Sequence, residues 1–284
     1  MKEEAPIIKP EELLLLKQST PIVIVDARSG ADAKDRYAAA HIDGALHVDL
    51  DKDLSNVKPD PADGGRHPLP DFIQFSKVLT RLGITPHTHV VIYDDKNGAN
   101  AASRFWWMLK SIGHKKVQVL DGGFDAAIKT GVPTSSKEEV PLKTEVYETS
   151  QWQLPLADIN EVDRATQNDN YLIIDVREKD RFDGLREPID SVAGHIPGAI
   201  NIPLQGNLDA DGFFKTPIVL KEQYSQVLQG KKAEHVIVHC GSGVTACHTL
   251  LAMAYAGMEI PKLYVGSWSE WSGRNRRMVT NTKD

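Results

Sequence analysis

The feature that most constrains how this chain can fold is an internal repeat. Four short segments of the first half recur in the same order in the second half, each about 150 positions later. The matched pairs are residues 22–28 with 171–177, 41–46 with 195–200, 89–94 with 235–240, and 120–124 with 264–268. A chance match of one short run would not preserve order and spacing over 284 residues. The sequence therefore predicts a duplicated domain, with small loop insertions causing the drift in offset.

Each half alternates between two kinds of segment. Apolar runs of four or five residues, rich in Val and Ile, are typical of buried β-strands. The longer stretches between them have the pattern of helices, for example residues 71–82, 100–112 and 244–256. This alternation predicts the α/β class, with a mostly parallel sheet flanked by helices in each half.

A polar segment without steady periodicity, which contains Pro141 and Pro155, separates the two halves. We therefore predict an N-terminal domain over residues 1–134, a linker over residues 135–156 and a C-terminal domain over residues 157–284.

The composition excludes several classes of partner. Lys and Arg number 33 against 39 Asp and Glu, the formal net charge is −6, and no block of like charge stands out, so nucleic acid is not an expected partner. The main apolar stretch, residues 250–258, is well short of the ~20 residues that cross a membrane. The first residues are charged and no apolar run typical of a secretory signal follows. We expect a cytoplasmic protein without a membrane partner.

Only two cysteines are present, Cys240 and Cys247, which excludes a disulfide framework. No Cys/His cluster with metal-ligand spacing occurs, and no G-x-G-x-x-G motif follows a predicted strand. We therefore expect neither a metal nor a cofactor. If both cysteines lie along one helix they are about 10 Å apart, beyond the ~7 Å reach of a disulfide. We interpret Cys247 as a core residue.

The segment with the clearest chemistry follows the predicted strand at residues 235–239. Cys240 comes directly after it, and a short Gly-Ser-Gly loop then opens a helix. Glycines let the backbone turn tightly with several N–H groups pointing inward, and the helix N-terminus adds partial positive charge. Such a cradle lowers the pKa of a thiol. The pattern therefore indicates that Cys240 is a nucleophile held as a thiolate.

The alternative is that Cys240 is a small buried hydrophobe and that the glycines only make a turn. The repeat favours the first interpretation, because the first half has Asp94 at the matching position and residues 96–99 in place of the glycine loop. We predict that only the second half is catalytically active. Cysteine phosphatases need an Arg six positions after the Cys, to clamp an oxyanion. Ala246 stands there, so a less charged group, such as a sulfur atom, fits better.

Five motifs carry a resemblance to a known family. They are Asp-x-Arg in both halves, Arg-Phe-Trp-Trp-Met-Leu at 104–109, Gly-His-Ile-Pro-Gly-Ala at 194–199, Cys-Gly-Ser-Gly-Val-Thr-Ala at 240–246, and Gly-Ser-Trp-Ser-Glu-Trp at 266–271. From about residue 22 to residue 271 the chain resembles the tandem-domain sulfurtransferases of the rhodanese family. The resemblance implies two rhodanese-like domains.

The resemblance also implies a reaction. Cys240 would attack the transferable sulfur of a small-molecule donor, become a persulfide, and pass the sulfur to an acceptor, which could be a thioredoxin-like protein, a small thiol or cyanide. The persulfide anion would be held by the backbone amides of the loop, from Gly241, Ser242, Gly243, Val244 and Thr245.

Several side chains match assisting positions of the family. Arg181 matches the arginine that binds the anionic group of the donor, although it could instead be a solvated helix charge. Ser242, His67 and Asp51 match a serine, a histidine and an aspartate that assist the reaction, or they could simply pack in loops. Asp26 and Asp175 each sit beside an Arg in both halves, which favours structural ion pairs. His41 and His195 also occur in both halves and are expected to fasten a turn.

The choice of donor follows from the charge of the loop. Members of the rhodanese family that use thiosulfate, which is a dianion, have Arg and Lys in the loop after the cysteine. In this chain the corresponding residues, Gly241 and Ser242, are neutral. This favours 3-mercaptopyruvate over thiosulfate. One departure stands against it, because the Glu-Pro-Arg motif of the mercaptopyruvate enzymes reads Glu-Pro-Ile at residues 187–189. Arg186 could replace the missing arginine if the loop turns differently. A non-catalytic sulfur carrier or sensor with the same fold remains the alternative from another class.

Overall fold

The computed structural model describes residues 4–281 of the chain. It divides into two compact units, each made of three segments. The first unit contains residues 4–56, 70–153 and 210–214, and the second contains residues 57–69, 154–209 and 215–281. Two short segments thus belong to the unit formed by the other half of the chain, which the repeat alone does not reveal. The domain limits predicted above stay a prediction.

In the part of the first unit that the structure describes, helices flank a parallel sheet. Its strands are β1 (Ile7–Ile8), β2 (Ile22–Asp26), β3 (His41–Ile42), β4 (Ala45–His47), β5 (His89–Tyr93), β6 (Val117–Leu120) and β7 (Thr134–Ser135). Its helices are α1 (Pro10–Ser19), α2 (Ala33–Ala39), α3 (Phe72–Arg81), α4 (Ala101–Ser111) and α5 (Gly123–Thr130). Five strands pair in parallel in the order β1-β6-β5-β2-β4, and β3 pairs with β7 in antiparallel fashion.

The second unit repeats this arrangement. Its strands are β8 (Leu156–Ala157), β9 (Leu172–Asp175), β10 (Ile200–Asn201), β11 (Val236–His239) and β12 (Lys262–Tyr264). Its helices are α6 (Ile159–Ala165), α7 (Lys179–Asp183), α8 (Pro217–Leu228), α9 (Ala246–Tyr255) and α10 (Ser267–Gly273), with 3-10 turns at Leu204–Asn207 and Ala233–His235. All strand pairs of its sheet are parallel.

The sheet orders of the two units are the same. The second sheet runs β8-β12-β11-β9-β10, which matches β1-β6-β5-β2-β4 strand for strand. Helices flank the central strands, and the central strands are continuous apolar runs because both of their faces are covered. Every residue of β5 and of β11 is buried. The prediction of two α/β domains with mostly parallel sheets is confirmed.

A buried ion pair recurs at the same place in both units. Nη2 of Arg28 donates to Oδ2 of Asp26 at 2.6 Å, and Nη2 of Arg177 donates to Oδ2 of Asp175 at 2.6 Å. All four residues are buried. Since each Asp ends a central strand and its Arg follows in the loop, the pair holds the strand end in place. The structural interpretation of these residues is confirmed.

The repeated histidines also have a structural role. Nδ1 of His41 lies 2.8 Å from the carbonyl oxygen of Tyr37, and Nδ1 of His195 lies 2.7 Å from that of Phe182. Each ring also stacks on the side chain of the same partner residue. Both histidines therefore fasten a turn, as predicted.

The polar segment after β7 packs along the first unit as far as residue 153. The ring of Trp152 lies against Phe72, Phe75 and Trp107, and Oγ of Ser76 donates to the carbonyl of Tyr147 at 2.6 Å. Across residues 4–281, none of the helices has the length and apolar character needed to cross a membrane.

Candidate active site

Cys240 lies at the carboxyl end of the central strand β11 and six residues before the first residue of α9. In parallel α/β sheets this edge, outside the carboxyl ends of the strands, is where ligands bind. The cysteine is 1% exposed, and residues 241–244 are buried with it. The fold therefore places the sulfur in a closed loop that leads directly into a helix N-terminus, as the sequence predicted.

The start of α10 holds the backbone of this loop. The N–H groups of Trp268 and Ser269 donate to the carbonyls of Cys240 and Gly241 at 3.1 and 3.0 Å. Oγ of Ser267 accepts from the N–H of Cys240 at 3.2 Å. These three bonds fix the two residues at the reacting end of the loop. The motif at residues 266–271 thus supports the loop in addition to packing its tryptophans, a role that sequence reasoning missed.

The first unit shows what kind of group such a loop can hold. Asp94 occupies the position of Cys240, and its carbonyl accepts from Phe124 as that of Cys240 accepts from Trp268. Its buried carboxylate accepts backbone N–H bonds of 2.8 to 3.3 Å from four residues of the following loop and helix start, namely Lys96, Gly98, Asn100 and Ala102. Burial raises the pKa of the Asp94 carboxyl, and the four donors act in the opposite direction. The loop geometry of this fold is therefore a nest for an anion.

Gly243 is the residue that the tight turn of the loop requires. Its φ is +72°, and a Cβ at this position would lie 2.5 Å from the carbonyl oxygen of Val265. A side chain there would be both strained and in collision with backbone. The glycine explains how the loop can close against the strand end of β12.

Of the predicted assisting trio, the structure joins two members. Nδ1 of His67 lies 2.8 Å from Oγ of Ser242, two residues after the cysteine. The segment that carries His67 is fixed, because the N–H of Arg66 donates to Oγ of Ser269 at 3.1 Å. Asp51 belongs to the first unit and lies in a turn where its N–H donates to Oδ1 of Asp49. Its predicted role stays a prediction.

The two predicted substrate-binding arginines have different environments. Arg181, on α7, is 12% exposed in its side chain and donates to Glu187 at 2.7 Å and to Asp190 at 3.3 Å. The side chain of Arg186 is 62% exposed, and its partner is Glu178, which is exposed as well, at 3.5 Å. A charge in this position is screened by solvent and contributes little. Arg181 therefore fits the predicted anion site, whereas Arg186 lies at the surface.

Arg66 is the functional candidate that sequence reasoning missed. A Cβ built on Gly241 would lie 2.9 Å from Nη2 of Arg66 and 3.4 Å from Nη2 of Arg181. Both guanidinium groups thus converge over Gly241, the neighbour of Cys240. Asp190 forms an ion pair with each of them. The available signal was the position of Arg66 directly before His67 in a Gly-Gly-Arg-His segment.

The carboxylate of Glu187 forms ion pairs with Arg177 and Arg181 and so fixes both side chains. It is 3% exposed in its side chain and accepts from Arg177 at 3.2 Å as well as from Arg181. It also accepts from the backbone N–H groups of Ile189 and Asp190, each at 3.2 Å. The turn that carries Asp190 is therefore fixed by the same carboxylate that orients Arg181.

His239 lies directly before the cysteine, but it is not a source of positive charge for the thiolate. Burial lowers the pKa of His239, so its ring is neutral near pH 7. Its Nδ1 lies 3.1 Å from the carbonyl oxygen of Cys240, a distance at which Nδ1–H donates. An anionic sulfur at Cys240 must be stabilised by the loop amides, by the helix N-terminus and by the two arginines.

Cys247 is a core residue of the second unit. It is buried on α9, and its Sγ lies 3.5 Å from the carbonyl oxygen of Gly243, to which the thiol donates. Neither cysteine forms a disulfide. The interpretation of Cys247 as a core residue is confirmed. Within residues 4–281, no group of three or more His, Cys, Asp or Glu side chains is arranged to hold a metal ion.

Comparison with known proteins places this arrangement in a family. The model of the rhodanese-like domain matches the chain twice, at residues 9–130 and 158–274. The chain is 36% identical to a probable 3-mercaptopyruvate sulfurtransferase of Pseudomonas aeruginosa, over 97% of this chain and 98% of that protein. It is 34% identical to human 3-mercaptopyruvate sulfurtransferase, over 94% and 90% of the two chains. A putative thiosulfate sulfurtransferase, SseB of Mycobacterium tuberculosis, is 35% identical over 93% of both.

Solved structures agree with these relatives. The 3-mercaptopyruvate sulfurtransferase of Leishmania major superposes with a TM-score of 0.83 at 30% identity, over 96% of this chain and 76% of that one. SseA of Escherichia coli, a 3-mercaptopyruvate sulfotransferase, superposes with a TM-score of 0.75 at 29% identity, over 93% and 99%. The chain therefore belongs to the rhodanese family, among its sulfurtransferases with two copies of the domain.

Proposed function

We propose that this chain transfers a sulfur atom from 3-mercaptopyruvate to a thiol or to cyanide through a persulfide on Cys240. The observation that carries the proposal is the convergence of four features on one loop. A buried cysteine stands at the end of β11, and a turn that can hold an anion follows it. Two guanidinium groups lie over Gly241, and Ser242 of the same loop is hydrogen-bonded to His67.

The donor is bound through its charge. The carboxylate of 3-mercaptopyruvate interacts with Arg66 and Arg181, because guanidinium groups bind carboxylates through charge-assisted, often bidentate hydrogen bonds. This orientation directs the thiol end of the donor toward Cys240. The Ser242 hydroxyl, backed by His67, then donates a hydrogen bond to the carbonyl oxygen of the donor. Arg186, which is exposed, has no part in this arrangement.

The first step moves sulfur to the enzyme. The Cys240 thiolate attacks the donor sulfur, an S–S bond forms, and the C–S bond breaks with its electron pair going to carbon. The product carbanion is the enolate of pyruvate, which takes up the proton of the donor thiol to give pyruvate and leaves a persulfide anion on Cys240. Ser242 and His67 stabilise the negative charge that develops on the enolate oxygen. The amides of residues 241–245 hold the persulfide anion, as the equivalent loop holds the Asp94 carboxylate.

The second step releases the sulfur. A thiolate attacks the outer sulfur, the S–S bond breaks, and Cys240 is regenerated as a thiolate while the acceptor becomes a persulfide. Cyanide in place of the thiolate gives thiocyanate by the same bond changes. A thioredoxin-like protein and a small thiol both remain candidates for the acceptor, and the cytoplasm remains the predicted location.

We propose the domain limits 1–134 and 157–284 for the two copies, with the first copy catalytically inactive. The Asp94 carboxylate fills the place where a reactive sulfur would stand in that copy. A loop already occupied by a covalently fixed anion has no room for a persulfide.

Steady-state kinetics separate the proposed function from its two alternatives. We expect continuous turnover with cyanide as acceptor, and a kcat/KM for 3-mercaptopyruvate above that for thiosulfate. A higher kcat/KM for thiosulfate would show that thiosulfate, and not 3-mercaptopyruvate, is the preferred donor. Stoichiometric sulfur uptake without turnover for any acceptor would identify a carrier or sensor module instead.

A further inference from the structure

We propose that Asp190 is a specificity-determining residue that restricts the donor to a single negative charge. The inference rests on the proposed function, because it concerns the anion site of that same reaction. Asp190 adds a negative charge to the pair of arginines over Gly241, and this charge penalises a dianion more than a monoanion.

The position of Asp190 supports this role. Its side chain is only 5% exposed, and it forms ion pairs with both Arg66 and Arg181. It therefore bridges the two groups that bind the anionic end of the donor. It also lines, with Arg66 and Ser269, a pocket of about 180 Å³. Of the two arginines, Arg66 lines this pocket and Arg181 does not.

The charges around the arginines balance. Arg66, Arg181 and Arg177 contribute three positive charges, and the buried carboxylates of Asp190, Glu187 and Asp175 contribute three negative charges. An incoming donor therefore meets a pair of good hydrogen-bond donors with little net positive charge. 3-Mercaptopyruvate brings one negative charge to this site, whereas thiosulfate brings two, so the repulsion from the Asp190 carboxylate is about twice as large for thiosulfate.

Asp190 is a better candidate for this role than Glu187. Glu187 also accepts from Arg177 and from two backbone N–H groups, so its removal would disturb the turn itself. Asp190 has its two closest charged partners in the anion site, and its removal changes mainly the charge of that site.

The test is the substitution Asp190→Asn, which removes one charge and keeps the shape of the side chain. Both donors gain from the additional positive charge, but the dianion gains about twice as much as the monoanion. We expect the ratio of kcat/KM for thiosulfate to kcat/KM for 3-mercaptopyruvate to rise by about tenfold or more, since one unit charge has an effect of about this size even about 10 Å away at an effective dielectric constant of about 20.

The ratio is the useful quantity because it is measured on one preparation. A lower folded fraction or a less reactive thiolate changes both rates equally and cancels from the ratio. The matched control is Glu234→Gln, which removes one negative charge from an exposed side chain in the 3-10 turn Ala233–His235, before β11 and at the opposite end of the strand from Cys240. Its ratio should stay within about twofold of the wild type.

The outcomes separate this inference from the proposed function. A ratio that rises in Asp190→Asn but not in Glu234→Gln supports the role of Asp190. A ratio that is unchanged or lower in Asp190→Asn, while the wild type turns over 3-mercaptopyruvate, overturns the role of Asp190 and leaves the proposed function standing. If the wild type accepts sulfur from neither donor, both proposals fail.

Discussion

At the scale of single residues, the site depends on which arginines face the loop. Arg66 and Arg181 lie at Gly241, and Arg186, which the sequence offered as a replacement for the missing arginine of the Glu-Pro-Arg motif, lies at the surface. Glu187 sets the direction of the Arg181 side chain, because its carboxylate accepts a hydrogen bond from that guanidinium group. The same carboxylate fixes the turn that follows it, by accepting from the N–H groups of Ile189 and Asp190. A difference of a few residues along the chain therefore decides whether an arginine lies at the loop or at the surface.

Substitution of Arg66 should weaken donor binding. We expect Arg66→Gln to lower kcat/KM for 3-mercaptopyruvate by about 10- to 100-fold, since a hydrogen bond to a charged group contributes roughly 1.5–3 kcal/mol. Most of the effect should be in KM. Arg186→Gln is the matched control and should change kcat/KM by less than about twofold. If Arg186→Gln has the larger effect, our assignment of the anion site is wrong.

The Ser242–His67 pair should affect kcat more than KM. We expect Ser242→Ala to lower kcat with 3-mercaptopyruvate by about 10²-fold, because a positioned proton donor contributes about this much. Thiosulfate has no carbonyl group, so its turnover should fall much less. The double variant with His67→Gln should be little worse than Ser242→Ala alone, since the two side chains act through one hydrogen bond of 2.8 Å. Additive losses would show that they act separately.

At the scale of elements, the loop between β11 and α9 depends on Gly243. We expect Gly243→Ala to lower the free energy of unfolding of the second unit by about 2 kcal/mol or more, from positive φ and from the contact with the Val265 carbonyl. Gly257→Ala is the control, because Gly257 has φ +69° but no atom within 4 Å of a built Cβ. It should lose only about 1 kcal/mol, which is the lower end of the cost of a left-handed conformation for a residue with a Cβ. Urea unfolding gives both values, and equal losses would exclude a role for the contact.

The elements themselves could be predicted from the sequence, and the contacts around the loop only in part. The repeat, the apolar runs of β5 and β11 and the Gly-Ser-Gly turn are local patterns, so the parallel sheets and the position of Cys240 followed from them. The ion pair of Arg66 with Asp190 joins residues 124 positions apart and depends on the tertiary structure. The inclusion of residues 57–69 in the second unit could not be predicted either, because it also depends on contacts between distant parts of the chain.

At the scale of the whole molecule, the two units share one fold but differ in the loop that holds Cys240 in the second unit. The same strand order and the same Asp–Arg and His fastenings occur in both, so these features belong to the fold rather than to the reaction. The two units differ in the loop after the central strand, where Asp94 and residues 96–99 of the first unit stand in place of Cys240 and the Gly-Ser-Gly loop of the second. We infer that stability constrains the first unit and chemistry the second.

The first unit should lose stability in acid because of His114. This residue is 1% exposed, and burial lowers its pKa from 6.5 to about 4. Between these two values the unfolded chain binds a proton that the folded unit does not, so stability is full above pH 6.5 and falls as the pH drops toward 4. The expected loss is about 3 kcal/mol.

Native-state hydrogen exchange of the β5 amides can measure this loss for the first unit alone. The control is His114→Gln, which has no titrating ring at this position. We expect the difference in stability between the wild type and this variant to shrink as the pH falls from 7 to 4. A difference that is independent of pH would show that His114 titrates normally in the folded unit.

The most direct test of the account is the mass of the intact protein after incubation with 3-mercaptopyruvate and removal of excess donor. We predict a gain of about 32 Da, one sulfur atom, in the wild type, and its loss on addition of a thiol or cyanide. Cys240→Ser should show no gain, whereas Cys247→Ser should gain the sulfur as the wild type does. An unchanged wild-type mass, or a gain that persists in Cys240→Ser, would contradict the central claim that sulfur passes through Cys240.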